Sequence, residues 1–351
     1  MFFRLTTDRR RIPVALGDLY GGGERSTCWI IGAGPSLAAV DLAAIARSSA
    51  PTMAINLAGS RGLRPTFWTS YDATARFHRS TYQDAGTLKL LHARRAMDLI
   101  PGTTWKVCDA PATVFFDLEP GRDYTDWLAP HRPLVDWADS MVQAIALAVH
   151  LGFRRLLLAG CEMRVRPSDA MRLLARRRGI EWDDHSSLAR FVRACEDAGL
   201  SRDQLDRCPR PQAYHFDEDK PLAAAIATDE HYFRVAQSLR LCRRSLADRG
   251  VELVSATPGS RLNDWFPTTG VAELLADLPR RYGDAGSERE RDRYTLTEPR
   301  VPAGLGLMRD VPPYVRPRPA APASAAAAAP LGQSLPILQE PLVKTAAGDA
   351  R

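Results

Sequence analysis

Three sets of residues in this chain have the types and spacing to act on a phosphorylated ligand. The first is Gly32-Ala33-Gly34-Pro35-Ser36, which follows the apolar run Cys28-Trp29-Ile30-Ile31. A strand that empties into a glycine turn and then a helix lets backbone approach an anion. The helix N-terminus adds unpaired N–H groups and the positive end of its dipole. The second set is polar residues at the ends of apolar runs: Asn56, Asp72, Gly160-Cys161-Glu162, and Thr257, Gly259 and Ser260. The third is His231, whose imidazole suits general-base work at neutral pH. His185 and His215 are further histidines without comparable company.

The glycine turn is not a dinucleotide fingerprint. Leu37 stands where the third glycine of G-x-G-x-x-G belongs, and the second strand ends in Asn56 rather than in the acid that holds a ribose diol. NAD and FAD are therefore disfavoured, and a nucleotide seated by the Gly-Pro-Ser turn and Asn56 is expected. The chain holds no H-E-x-x-H, G-x-S-x-G, P-loop lysine or S-x-x-K pattern. Metalloprotease, serine hydrolase and Walker-type ATPase chemistry have no support.

These residues need a scaffold that gathers strand ends. From Cys28 to about Leu158 short apolar runs alternate with helical stretches, as in a mostly parallel sheet with crossover helices. Strands are expected at 28–32, 52–56, 66–71, 88–92 and 104–108. Ser140 is expected to cap an apolar helix over 140–151, and Arg155–Ala159 to follow as a buried strand. In a parallel sheet ligands sit at the carboxyl edge, where all these polar residues would meet. A helix over 231–249 opening at His231, a strand at 251–255 and a last helix at 271–278 complete the domain. The expected fold class is α/β, Rossmann-like, with helices on both faces of a mainly parallel sheet.

Three stretches break this rhythm. Residues 1–25 are basic and glycine-rich and read as an irregular leader. Residues 163–230 form an Arg-rich insertion, read either as a lid or as a solvated helical excursion. Ten of the 26 prolines fall between Pro299 and Pro341, so 283–351 reads as a disordered tail.

Composition sets outer bounds. At 351 residues, 45% hydrophobic and 25% charged, the chain can bury a substantial core. A net charge of +6 suits a phosphate-bearing ligand and does not call for a nucleic acid. Six cysteines form no zinc-like cluster and read as reduced thiols of a cytoplasmic protein. No apolar run approaches the ~18 residues of a membrane span.

Taken together, four blocks resemble the MptE-like superfamily and its relatives, the motility-associated-factor glycosyltransferases and bacterial GT-A-like sialyltransferases. Ile31-Gly32-Ala33-Gly34-Pro35-Ser36-Leu37 resembles the family's G-x-G-P-S-L nucleotide loop, and Asn56 falls at its strand-end Asn. Ser140 through Glu162 resembles its helix–LGF–strand–G-x-[DE] block. His231, a helix and Ala256 to Leu262 resemble the sialyltransferase catalytic His and P-x-S-x-L turn. Ala33 departs from the Asn of the sialyltransferases, and the lid tyrosines have only Tyr214 and Tyr232 as candidates. The resemblance implies transfer from a nucleotide-activated donor, a CMP-sugar, to a hydroxyl acceptor, with His231 as base and no cofactor. An alternative from the same superfamily is ATP-dependent pyrophosphoryl transfer to a hydroxymethylpterin, which needs Mg²⁺ on Asp72 and Glu162. A nucleotide-binding module without turnover is a third reading.

Overall fold

A computed structural model of the chain describes residues 2–5, 10–19, 26–58, 63–121, 123–211 and 220–282. Its elements, in chain order, begin with β1 (Phe2–Leu5), β2 (Arg11–Pro13), α1 (Leu16–Leu19), β3 (Thr27–Ile31), α2 (Leu42–Arg47), β4 (Thr52–Ile55) and β5 (Phe67–Ser70). Then come α3 (Arg79–Gln83), β6 (Leu88–His92), β7 (Thr113–Phe116), β8 (Leu118–Glu119), β9 (Leu134–Val135), α4 (Ser140–His150) and β10 (Arg155–Ala159). The last are α5 (Asp169–Arg176), α6 (Leu188–Asp197), α7 (Arg202–Asp206), α8 (Leu222–Leu241), α9 (Arg243–Asp248), β11 (Glu252–Ser255) and α10 (Val271–Tyr282).

The nine-stranded sheet has the order β11-β10-β3-β4-β5-β6-β7-β1-β2. From β11 to β7 every pairing is parallel, and β1 and β2 close one edge antiparallel. The fold is Rossmann-like α/β. Strand β3 shows why the sequence builds it. Cys28 and Ile30 join the core on one face, with α4, α8 and α9, while Trp29 and Ile31 join the core on the other, with α2, α3 and α10. All five residues of β3 are buried, as expected for a strand covered on both sides. From β3 the chain winds outward through β4 to β7, then returns to lay β10 and β11 on the opposite side of β3. The chain leaving β3 goes on to β4 on one side and that leaving β10 to β11 on the other, which makes this the switch point where such sheets bind ligands.

Several local expectations are corrected. The leader is not irregular throughout: β1 pairs with β7, and Phe3 stacks near Phe115 with ring centroids 6.1 Å apart. No strand forms at 104–108. Trp105, Val107 and Cys108 are buried because a 3₁₀ turn over Val107–Asp109 tucks them against the sheet, and the strand that pairs next to β6 is Thr113–Phe116. The helix carrying His231 begins nine residues earlier, at Leu222, so His231 lies in mid-helix, and the run breaks at Cys242.

The insertion between β10 and α8 is a helical unit with its own small core. Met171 and Ala175 of α5, Phe191, Val192 and Cys195 of α6 and Leu205 of α7 pack on Leu222 and Ala225 of α8. Among the described residues no helix is long and apolar enough to cross a membrane. The tail, residues 283–351, lies outside the described residues, as do Tyr214 and His215.

Candidate functional site

Over the carboxyl ends of β10, β3, β4 and β5 lies a cavity of about 350 Å³, within the usual range for small-molecule sites. Its floor is the turns after those strands. One wall is the start of α4, and the other is the N-terminal half of α8. Of the residues expected from the sequence, Gly32, Ala33, Gly34, Pro35, Asn56, Asp72, Ser140, Gly160, Cys161, Glu162 and His231 line it. Ser36, Thr257, Gly259 and Ser260 do not.

The glycine turn packs closely against the turn after β10. Gly34 N–H donates to Gly160 O at 2.9 Å, and Gly32 N–H to Ala159 O at 2.8 Å, so the turns after β3 and β10 lie face to face. A Cβ at Gly34 would fall inside the Glu162 carboxylate and 2.7 Å from Gly160 O. Gly160 itself sits at φ +68, which favours glycine. Ser36 N–H, at the end of the turn, donates to Glu162 Oε1 at 2.6 Å. The protein's own carboxylate thus occupies the turn's anion position.

Thr257 and Ser260 act behind this turn. Thr257 Oγ1 accepts from Cys161 N–H at 3.0 Å, and Ser260 Oγ donates to Cys161 O at 2.7 Å. They fix the backbone of 160–162 and do not meet the cavity. Gly259 O accepts from Arg166. Burial pushes the Cys161 thiol pKa upward, with the Glu162 charge adding to it, which disfavours the thiolate. None of the six cysteines is in a disulfide.

The opposite side is a hydrogen-bonded network. Asn56, at φ +55, turns its Oδ1 to accept from Ser70 Oγ at 2.6 Å and Ser140 Oγ at 3.1 Å. Ser140 Oγ in turn accepts from Tyr71 N–H at 2.9 Å. Ser140 is therefore not the helix cap expected of it. Asp139 caps α4, its Oδ1 accepting from Met141 and Val142 N–H at 2.8 and 3.0 Å. The other oxygen, Oδ2, lies 3.1 Å from His231 Nε2. Asp139 is buried, whereas the His231 side chain is one-third exposed and lines the cavity.

Three of the four non-glycine residues at positive φ among the described residues, Asn56, Ala138 and Met163, line this cavity. Backbone held in sparsely populated conformations concentrates at functional sites.

Cations line the cavity too. Arg76 pairs with Asp72 at 2.6 Å, Lys220 donates to Thr228 Oγ1 at 2.9 Å, and Arg164 enters from the start of the insertion. The remaining arginines of the expected lid do not line it. Arg172 and Arg176 pair with Asp169 and Glu181 on the surface, and Arg177 and Arg178 are exposed. His185, three-quarters exposed near Asp264, is also outside the cavity. Among the described residues no group of three or more His, Cys, Asp or Glu could hold a metal ion.

Sequence reasoning missed Asp139, Asp229 and the particular place of Arg164. An Asp directly before an apolar helix is as good a cap as Ser, and that was the available signal for Asp139. Asp229 is fully buried in α8. Its Oδ1 accepts from Val165 N–H at 2.8 Å, and its Oδ2 from Leu188 N–H at 2.9 Å and Arg261 Nη2 at 3.0 Å. Arg261 also donates to Met163 O and Ser186 O. This buried pair fastens both ends of α5's surroundings to α8, two residues before His231.

No family model, curated protein or solved structure matches the chain.

Proposed function

We propose that the protein is a transferase that moves a glycosyl group from a nucleotide-activated donor to a hydroxyl acceptor, with His231 as the general base. The observation that carries this reading is the His231–Asp139 pair, 3.1 Å apart, on the wall of a cavity at the sheet's switch point. A buried carboxylate that accepts from Nε2–H leaves the lone pair on Nδ1 and stabilises the imidazolium formed when that nitrogen takes a proton. In the proposed step the acceptor O–H gives its proton to Nδ1. The acceptor oxygen bonds to the anomeric carbon, and the nucleotide's phosphate oxygen leaves with the bonding pair. The four-block resemblance supplies the CMP-linked donor in this reading, and the cavity volume of about 350 Å³ suits part of such a ligand.

The Mg²⁺-dependent pyrophosphokinase alternative rests on Asp72 and Glu162. Both line the cavity, but Asp72 is held by Arg76 and Glu162 by Ser36 N–H, so each already has a partner. The transferase reading is preferred for that reason.

The test is a thermal-shift panel of CMP, UDP, GDP, ADP and ATP with and without Mg²⁺. A ligand at 100 times its Kd adds about 2.7 kcal/mol of stability, which is readily seen. Stabilisation by CMP without metal is expected; a response to ATP that requires Mg²⁺ would transfer support to the alternative. His231→Ala should then lower turnover of the donor by about 10²–10⁴-fold with donor affinity nearly unchanged. His185→Ala serves as the control, with little effect. If His231→Ala keeps more than about a third of the activity, the base is another group.

A further inference from the structure

With Glu162 filling the glycine turn, a phosphate has to be held elsewhere in the cavity. Arg164 has the attributes of that position. Its side chain is 5% exposed, yet it lines the cavity. Its charge is poorly compensated. Nη1 donates to Asp184 O and lies 3.5 Å from the Asp184 carboxylate, which is half exposed. That carboxylate is shared with Arg166 at 3.1 Å and with Trp182 Nε1 at 2.8 Å. Arg164 Nε is buried and has no hydrogen-bond partner.

A buried guanidinium with an idle N–H and a shared, solvated counter-ion is costly unless something completes it. Burial, followed by the neighbouring Arg261, holds the Arg164 pKa below its usual value, the mark of a cation short of negative charge.

Arg164 is also held in place. Met163 before it sits at φ +51, and its carbonyl accepts from Arg261 Nη1 at 3.0 Å. Val165 after it donates its N–H to Asp229 at 2.8 Å. The buried Asp229–Arg261 pair thus clamps the backbone on both sides of Arg164, so its ordering cost is met before any ligand arrives. Of the other cations lining the cavity, Arg76 is paired with Asp72, and Lys220 donates to the Thr228 hydroxyl.

We propose that Arg164 is the oxyanion-binding residue of this cavity and takes the phosphate of the ligand, in place of the glycine turn. A guanidinium fork matches phosphate oxygens in a way that a lysine point charge does not. The nucleotide part of this inference rests on the function proposed above; the phosphate part does not.

The experiment measures binding to the full chain by calorimetry. Inorganic phosphate, the four ribonucleoside monophosphates and the matching nucleosides are the probes, on wild type, Arg164→Gln, Arg164→Lys and Arg76→Gln. Wild type should bind phosphate, and should bind at least one monophosphate more than tenfold tighter than its nucleoside. Arg164→Gln should erase that preference while nucleoside affinity stays, and Arg164→Lys should cut it at least threefold. Arg76→Gln should have the smaller effect. Without ligand, Arg164→Gln should melt no lower than wild type, since it removes an under-compensated buried charge.

If Arg164→Gln does not fold, the Arg164→Lys arm decides. Phosphate binding that depends on Arg164 without any nucleotide binding would support this inference and sink the nucleotide reading. A phosphate preference unchanged by either Arg164 substitution, or no anion binding by wild type, overturns the proposal.

Discussion

The two sides of the cavity answer opposite needs. On the glycine-turn side the backbone donors pair within the protein. Ser36 N–H is taken by Glu162, Gly34 N–H by Gly160 O, and Cys161 is braced by Thr257 and Ser260. On the α4–α8 side Asp139 uses one oxygen to cap α4 and the other to hold His231, whose ring remains one-third exposed. The first side is a packing joint that happens to bear a ligand-site sequence. The second resembles a surface helix start in sequence and carries the proposed chemistry. A glycine-rich turn after a strand thus signals close backbone approach, and only the partner that approaches decides whether it is a ligand or the protein's own carboxylate.

This comparison makes separable predictions. The largest effect on stability should come from Asp229→Ala. It would leave Arg261 buried without its partner and free Val165 and Leu188 N–H. Breaking a buried pair in this way costs about 3–5 kcal/mol. The helical insertion should loosen first, read as a local rise in amide exchange over α5 and α6. Unchanged exchange there would mean that the apolar contacts of Phe191 and Leu222, not Asp229, hold the insertion in place.

Gly34→Val tests the packing joint. Its side chain would meet the Glu162 carboxylate and Gly160 O, and overpacking of this kind costs about 1–3 kcal/mol. The ligand-free protein should melt lower, and adding Glu162→Ala should recover part of the loss by removing one of the two obstacles. A Gly34→Val protein with wild-type melting that has lost only its nucleotide response would reverse the comparison and make the turn a ligand site after all.

The legible part of the molecule was the part fixed by local pattern. Strand β3 reads as a continuous apolar run and β6 as an apolar run interrupted by Lys89; both are buried throughout and stand within a residue of expectation. The run at 104–108, with Trp105, Val107 and Cys108 around Lys106, is about as apolar as β6, but burial can be reached by a 3₁₀ turn as well as by a strand, and composition does not distinguish them. Strand β1 was hidden because its partner β7 lies more than 100 residues away in sequence. The candidate site was legible as a set of strand ends, since a parallel sheet brings those to one edge wherever they fall in the chain. What could not be read was which neighbour each residue meets. Glu162 looks like a ligand-edge acid until its oxygen is found on Ser36 N–H, and Asp139 looks like an ordinary cap until His231 arrives from α8, 92 residues later.

The smallest effect on stability, and the sharpest test of the α4–α8 side, is expected from Asp139→Asn. Asn caps helices about as well as Asp, so the carbonyl oxygen can still accept from Met141 and Val142 N–H. Loss of the negative charge at the start of α4 removes a favourable dipole interaction of about 0.3–1 kcal/mol. The melting temperature should therefore move little. The amide nitrogen, however, would face His231 Nε2 as a donor, where the carboxylate accepts. Neutral His231 would have to accept through Nε2 and carry its proton on Nδ1, the nitrogen proposed to take the acceptor's proton. The equivalent tautomer swap in a Ser-His-Asp triad costs about 10⁴ in rate, and a loss of at least 10² is expected here. Imidazole ¹⁵N shifts of His231 would report the swap directly, independent of any substrate. A tautomer and a turnover rate both unchanged in Asp139→Asn would show that Asp139 only caps α4, and that the two sides of the cavity differ less than the geometry indicates.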